Sequence, residues 1–458
     1  MIKQKLYLTA VFMLLVNLTS FSQERQLPLS EAWEAAFSGY PGLAEKQALI
    51  RESEYQKREL QNDFLPNLQL QVQNSYGTFA GSTGAFFPLP GTFNVSGNTA
   101  ISGQSTATAN TFGSALVDWR IFEFGRQRKA VQAAKANIQK AESTFDATKL
   151  SVQAKVSRLY SDILYTGSKL QWAKDNAERV KEIVELSKTL ADAGLKPGAD
   201  TLLAVSSYLQ TLGELDDWTG RLEASKIRLT ELAPVDKKSV GFSFSNYLSA
   251  DPLSPADTSA TGHPYLNVIS DQLENDKFRA EVAARKLFPS VSILGGLSSR
   301  GSGIGSNGLV NSGWSSGFNN QNSNYLIGVG LTWNINNAFN SITERNRIRQ
   351  QQAATQSRYE AQSLQLTTGL QSVNGRLTES RKQVDKTTSA VDKARKAYDL
   401  YLSRYQSGLI NLTELLQIQL LLQQSEKVNI EAYQQYWEQI ITRAELSGDF
   451  SYLSNQFK

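Results

Sequence analysis

The chain contains no cysteine, which excludes disulfides, a thiolate metal site, a cysteine nucleophile and a lipid-modified N-terminal cysteine. Histidine is nearly as scarce. The single one, His263, leaves no imidazole cluster for a metal and little acid–base chemistry, and a structural role is expected of it. The formal net charge is only +4 with no block of Lys or Arg, so composition offers no nucleic-acid face. Long hydrophobic runs are also missing. The nearest is Leu6 to Val16, behind Lys3 and Lys5 and ahead of Ser20-Phe21-Ser22. It is too short to span a bilayer and reads as a secretory signal over residues 1–22, a buried N-terminal helix being the alternative. Beyond it no run of about 20 apolar residues occurs, so a membrane-spanning mature chain would need a closed β-barrel.

What is present is a duplication. Tyr40-Pro41 is answered by His263-Pro264, and Phe64-Leu65-Pro66 by Leu287-Phe288-Pro289, both prolines shifted by 223 positions (264 − 41, 289 − 66). Asp118-Trp119-Arg120 is answered by Thr332-Trp333-Asn334, and Ala193-Gly194-Leu195 by Ser407-Gly408-Leu409, now shifted by 214 (333 − 119, 408 − 194). The loss of nine falls between proline and tryptophan, whereas Trp to Gly is 75 positions in both copies (194 − 119, 408 − 333). Loops absorb length changes at small cost; a rod whose register matters does not.

Each copy reads as helix, strand, loop, strand, very long helix, turn and helix. No charged residue occurs from Phe64 to Val117, nor from Gly301 to Thr343. Leu68, Leu70 and Val72 alternate with glutamines. Val117, Trp119 and Ile121 alternate with Leu116, Asp118 and Arg120, and Val291, Ile293 and Leu297 with serines. Tyr325, Ile327, Val329, Leu331, Trp333 and Ile335 also keep a period of two. Uncharged period-2 segments with aromatics near their ends are the mark of transmembrane strands. A soluble hairpin with one wet face is the alternative, but its edges would ordinarily carry Lys or Glu. Four strands cannot close a barrel around a pore; three copies would supply twelve.

The loops, Gly77 to Ala109 and Ser298 to Ser323, are rich in Gly, Ser, Thr and Asn. Gly301-Ser302-Gly303-Ile304-Gly305 looks superficially like a phosphate-binding run, without the helix that should follow it. Arg126 to Asp192 and Thr343 to Gln406 are charged, alanine-rich and free of proline, predicting rods of roughly 100 Å at ~1.5 Å per residue. Val391, Ala394, Tyr398, Tyr401 and Tyr405 step by 3 and 4, a coiled-coil stripe. The rods turn at Gly-Leu and return over Asp200 to Leu232 and Leu412 to Leu446. Residues 233–262 read as a linker and 447–458 as a short polar tail.

Taken together, these features resemble the TolC-type outer-membrane efflux proteins across essentially the whole mature chain. The residues that carry the likeness are the proline-led strands (Pro66, Pro289), the Trp-bearing strands that follow (Trp119, Trp333), Phe124-Gly125-Arg126 at a basic helix start, and the twin Gly-Leu tips. Asn336-Asn337-Ala338-Phe339-Asn340 departs from the Phe-Asp-Gly-Gly-like turn common in the family.

The resemblance implies an α plus transmembrane-β fold, a homotrimer closing a twelve-stranded barrel in outer-membrane lipid above an α-helical periplasmic tunnel. It implies a passive exit duct for an efflux pump or type I secretion system, served by a periplasmic adaptor and an inner-membrane pump, with no enzymatic activity, cofactor or metal. By the same resemblance, Gly194-Leu195 and Gly408-Leu409 would dock the adaptor. Left to the residues alone, they are helix C-caps with an exposed leucine. Asp200 and Glu414 each follow a tip glycine by six positions (200 − 194, 414 − 408). In the family, aspartates near the closed end select cations; the bland reading is a favourable acid at a helix N-terminus. Two other classes remain open on residues alone: a surface coiled-coil adhesin, which gives no reason for equal rods, and an enzyme, for which no catalytic constellation stands out.

Overall fold

The computed structural model describes residues 25–78, 106–235, 240–242, 247–249 and 262–457. The expected signal segment and most of the first glycine-rich loop and of the linker lie outside the described residues. In chain order the elements are β1 (Arg25–Gln26), α1 (Leu29–Gly39), α2 (Pro41–Asn62), β2 (Asn67–Gly77), β3 (Thr108–Phe122), α3 (Arg126–Asp192) and α4 (Gly198–Leu232). They continue as β4 (Val240–Gly241), α5 (Pro264–Arg285), β5 (Ser290–Ser302), a 3-10 turn (Trp314–Phe318), β6 (Asn322–Thr332), α6 (Asn336–Gln406), α7 (Leu412–Ser447) and α8 (Ser451–Gln456). No helix among the described residues is long and apolar enough to cross a membrane.

The chain forms two compact units. The first comprises residues 1–48, 143–268 and 359–458, and the second 49–142 and 269–358. In the first, α1, α3, α4, α6 and α7 bury one large core around Trp33, Ile163, Leu164 and Trp437. Three of its aromatic N–H and O–H groups are matched internally. Trp33 Nε1 donates to Ser157 Oγ at 3.0 Å, Trp437 Nε1 to the Tyr247 carbonyl at 2.9 Å, and Tyr160 to the Leu27 carbonyl at 2.8 Å. Burying one such ring is worth about 2–3 kcal/mol, and an unmatched N–H would take much of that back. A second cluster joins Ala394, Tyr398 and Tyr405 of the expected stripe, with Tyr401 packed against it and Val391 outside it, to Ile183, Ala204 and Leu415.

His263 is buried here, with Nε2 3.0 Å from the Glu445 carbonyl, and has the structural place expected of it. The tail differs from expectation: Phe450, Leu453 and Phe457 are buried, and Leu29 N–H donates to the Phe457 carbonyl at 3.0 Å. Its polar count hides three apolar residues spaced 3 and 4 apart, one short helical face. Within the expected linker, Val240–Gly241 pairs in parallel with Arg25–Gln26.

The second unit holds the sheet, antiparallel throughout and ordered β2-β3-β5-β6. β5 runs on to Ser302, four residues past the expected loop start at Ser298. The helix expected from Thr343 begins at Asn336 instead. Asn334 precedes it and accepts the Asn337 N–H on its side chain, so the asparagine-rich segment starts the helix rather than forming a turn.

Candidate functional site

Two places carry the residues singled out in sequence. The first is the pair of hairpin tips. Both are closed by Schellman hydrogen bonds: Leu195 N–H to the Leu190 carbonyl at 2.9 Å with Gly194 N–H to Ala191 at 2.9 Å, and Leu409 N–H to Arg404 at 2.9 Å with Gly408 N–H to Tyr405 at 3.0 Å. Gly194 and Gly408 have φ of 72° and 74°, and a Cβ on either would meet nothing within 4 Å. Glycine is required there by backbone conformation alone. Leu195 and Leu409 stand 69% and 70% exposed just beyond them.

Lys196, which sequence reasoning missed, joins the tips. Its ammonium donates to the Ile410 carbonyl at 3.0 Å and lies 5.5 Å from the Tyr405 ring centre. The signal was available: at the 214 offset lysine faces isoleucine, one place where the repeat changes charge. The Tyr405 hydroxyl is raised above its ordinary pKa by burial first and by the Asp200 carboxylate second.

Asp200 and Glu414 occupy matching first turns of α4 and α7 in different circumstances. Glu414 is tied into a reciprocal capping pair: Asn411 Oδ1 accepts the Glu414 N–H at 2.9 Å, and Asn411 Nδ2 donates to Glu414 Oε1 at 2.8 Å. α4 has Pro197 at the same position and no side-chain cap, and Asp200 forms no ion pair among the described residues. No hydrogen bond joins Asp200 to Glu414.

Sequence reasoning also missed Glu426, which binds Arg179 of α3 at 2.6 Å and Arg395 of α6 at 2.9 Å and so ties three helices together. Lys169, fully buried, reaches Glu431 at 3.0 Å amid the rings of Tyr165, Trp172 and Trp218. Burial lowers its pKa, against the raising effect of Glu431.

The second place is the sheet. Trp119 Nε1 donates to the Phe64 carbonyl at 2.8 Å, and Trp333 Nε1 to the Leu287 carbonyl at 3.0 Å. Each carbonyl lies two residues before Pro66 or Pro289, so the same tryptophan-to-carbonyl bond recurs at the proline-led entry of each copy. Strand register sets the faces. Leu68 opposes Val117, Leu70 opposes Ala115, Val117 opposes Gly295, Trp119 opposes Ile293, and Leu297 opposes Tyr325. Opposed residues share a face, so these apolar residues form one surface and Gln69, Gln71, Gln73 and Ser298 the other. Leu70 is 75% exposed, Val72 87% and Ile327 76%. The outer edges, β2 and β6, have no strand partner among the described residues.

A duplicated strand pair and α-hairpin, with one uncharged apolar sheet face and two bare edges, is the protomer plan of a TolC-type outer-membrane channel. The sequence matches the profile described as outer membrane efflux protein over residues 34–233 and 264–448, and the chain belongs to that family. Among curated relatives it is similar to nodulation protein T of Rhizobium leguminosarum bv. trifolii, 25% identical over 229 residues, which span 48% of each chain. Its fold is shared with the outer-membrane channel OprN (TM-score 0.71, 18% identity, covering 93% of this chain and 90% of that one). It is shared equally with the outer membrane protein VceC of Vibrio cholerae (TM-score 0.70, 16% identity, covering 92% and 97%).

Proposed function

We propose that the protein is the outer-membrane exit duct of a tripartite efflux pump or a type I secretion system. The observation that carries this reading is the sheet, with its charge-free exposed face and two edges unpaired among the described residues. A single copy leaves both edges bare, which hydrocarbon does not allow. Rotational pairing of β6 with the next copy's β2 removes every edge, and three copies give twelve strands, above the minimum of about eight. The helical hairpins then form a periplasmic tunnel, and transport is driven by an inner-membrane pump through a periplasmic adaptor. The duct itself performs no chemistry and holds no cofactor.

In this reading the adaptor docks at Gly194-Leu195 and Gly408-Leu409, whose leucines are exposed and whose geometry is repeated. Asp200 and Glu414 form the acidic ring at the tunnel mouth, with Asp200 dominant because Glu414 is held by Asn411. Six carboxylates close together attract cations and repel one another. Light scattering of the detergent-extracted protein with planar-bilayer conductance tests the whole. A trimer giving small cation-preferring currents is expected; a monomer without current overturns the duct.

A further inference from the structure

The segment between β5 and β6 does not project from the sheet; it folds back onto it. Four contacts fix the side it lies on. The Trp314 ring stacks on Tyr76 with centroids 5.3 Å apart, while the Tyr76 hydroxyl donates to the Ser312 carbonyl at 3.0 Å. A Cβ on Gly317 would stand 3.0 Å from the Ala109 Cβ, and a Cβ on Gly301 would fall 2.3 Å from the Gly317 carbonyl oxygen. Tyr76 opposes Ala109 in the ladder, and both share the parity of Leu68, Leu70, Val72 and Val117. The flap therefore covers the apolar face, at the strand ends remote from Pro66 and Pro289.

Its composition and bonding suit that place. No charged residue occurs between Gly301 and Thr343. Non-helical backbone near hydrocarbon must satisfy its own polar groups, and this backbone largely does. Ser302 N–H donates to the Asn319 carbonyl, Gly303 N–H to Ala109, Gly305 N–H to Leu309 and Asn311 N–H to Gly303, all within 3.0 Å. Asn320 Nδ2 donates to the Ser302 and Ile304 carbonyls at 3.1 Å each. What the flap leaves exposed is large and apolar: Leu309 at 71%, Trp314 at 60% and Phe318 at 56%. Trp and Phe beside amide and hydroxyl groups match the headgroup–acyl boundary rather than water or the bilayer centre.

We propose that residues 303–321 form a membrane-lying flap, with Trp314 and Phe318 seated in the outer-leaflet lipid boundary around the barrel rim. The inference rests on the duct reading, which makes this sheet face lipid-facing and this end external. It assigns a lipid-binding role to a segment whose composition reads as a surface loop.

The absence of native cysteine makes the test direct. Trp314→Cys and Phe318→Cys, with Ile327→Cys on the apolar face as reference, are each labelled with a bimane fluorophore. They are then reconstituted in phosphatidylcholine–phosphatidylglycerol vesicles holding lipids spin-labelled near the headgroup or deep in the chain. At both flap positions the shallow lipid label should quench more than the deep one, iodide several-fold less than it quenches the free dye. At Ile327 lipid labels should quench as well. Strong iodide quenching with no lipid effect at the flap would mean an aqueous loop. Silence to both quenchers would mean a second copy covers it. Either result, with Ile327 quenched by lipid, overturns the flap and leaves the duct standing. Loss of lipid quenching at Ile327 too would overturn both.

Discussion

At Gly194 and Gly408 the constraint falls on one torsion angle and on nothing in the surroundings. Alanine at either tip should lower hairpin stability by about 1 kcal/mol, the cost of a left-handed L-residue. Valine, whose branched side chain resists that region still more, should open the tip. Export by cells carrying both valines should be lost while heat-resistant trimers persist on gels; normal export would sink the docking role. The acids next to the tips should part company. Asp200→Ala alone should produce most of the change in single-channel current and cation preference. Glu414→Ala should chiefly weaken the start of α7, by about 0.2–0.5 kcal/mol, through loss of its side-chain bond to Asn411, which still caps the backbone N–H. Equal electrical effects would mean that Asn411 does not restrain Glu414. Sequence position was enough to locate both Gly-Leu turns and the acids in the helix turns that follow, because the repeat registers them. The repeat does mark Lys196, as a lysine set opposite an isoleucine, but not its role, because the partner is a backbone carbonyl.

The helices owe their length to the absence of proline from their interiors, and their pairing to a stripe of small and aromatic residues. Polar ties between them are more local. Glu426→Gln should cost about 2–3 kcal/mol, below the ~3–5 kcal/mol typical of removing one partner of a fully buried pair, because Arg395 is largely exposed. Loss of helical circular dichroism at lower urea than in the parent would show it; an unchanged midpoint would leave the tie without energetic weight. Tyr165, Tyr265 and Tyr398 on these helices are pushed up to about 12 from 10.0, chiefly by burial. A group whose folded pKa is raised lends stability below its unfolded pKa and loses it as pH rises through the folded one. The helical part should therefore hold to about pH 10 and weaken between about 10 and 12, with tyrosinate absorbance rising in step with unfolding. Full titration of these tyrosines in the folded protein near pH 10 would contradict it. Rods, turns and strands were legible as periodicities. The start of α6 at Asn336 and the apolar face of α8 were not. The first depends on one capping side chain, the second on a burial pattern three residues long.

For the molecule as a whole, the apolar sheet face decides where the chain can live. Leu70→Arg would put a guanidinium among Val72 and Val117, at a cost of about 2–4 kcal/mol if the site lies at bilayer mid-depth. The expected outcome is less heat-modifiable trimer in outer-membrane fractions. Gln71→Arg, on the opposite polar face, should leave its amount unchanged. Equal losses would mean that the two faces are not distinguished by lipid. The duplication told of four strands and of their insufficiency, since counting needs no coordinates. Where the β5–β6 segment lies was hidden, because it turns on glycines whose neighbours come from distant strands.

The two bare edges of the sheet also carry a genetic consequence. In a barrel closed by three copies, each wall segment is sealed by its neighbours, so one copy with a spoiled edge breaches the whole ring. In a cell making equal amounts of normal and edge-defective chains, about one ring in eight would be assembled from normal chains alone. Edge alleles should therefore behave as dominant poisons, whereas an allele that never folds should be recessive.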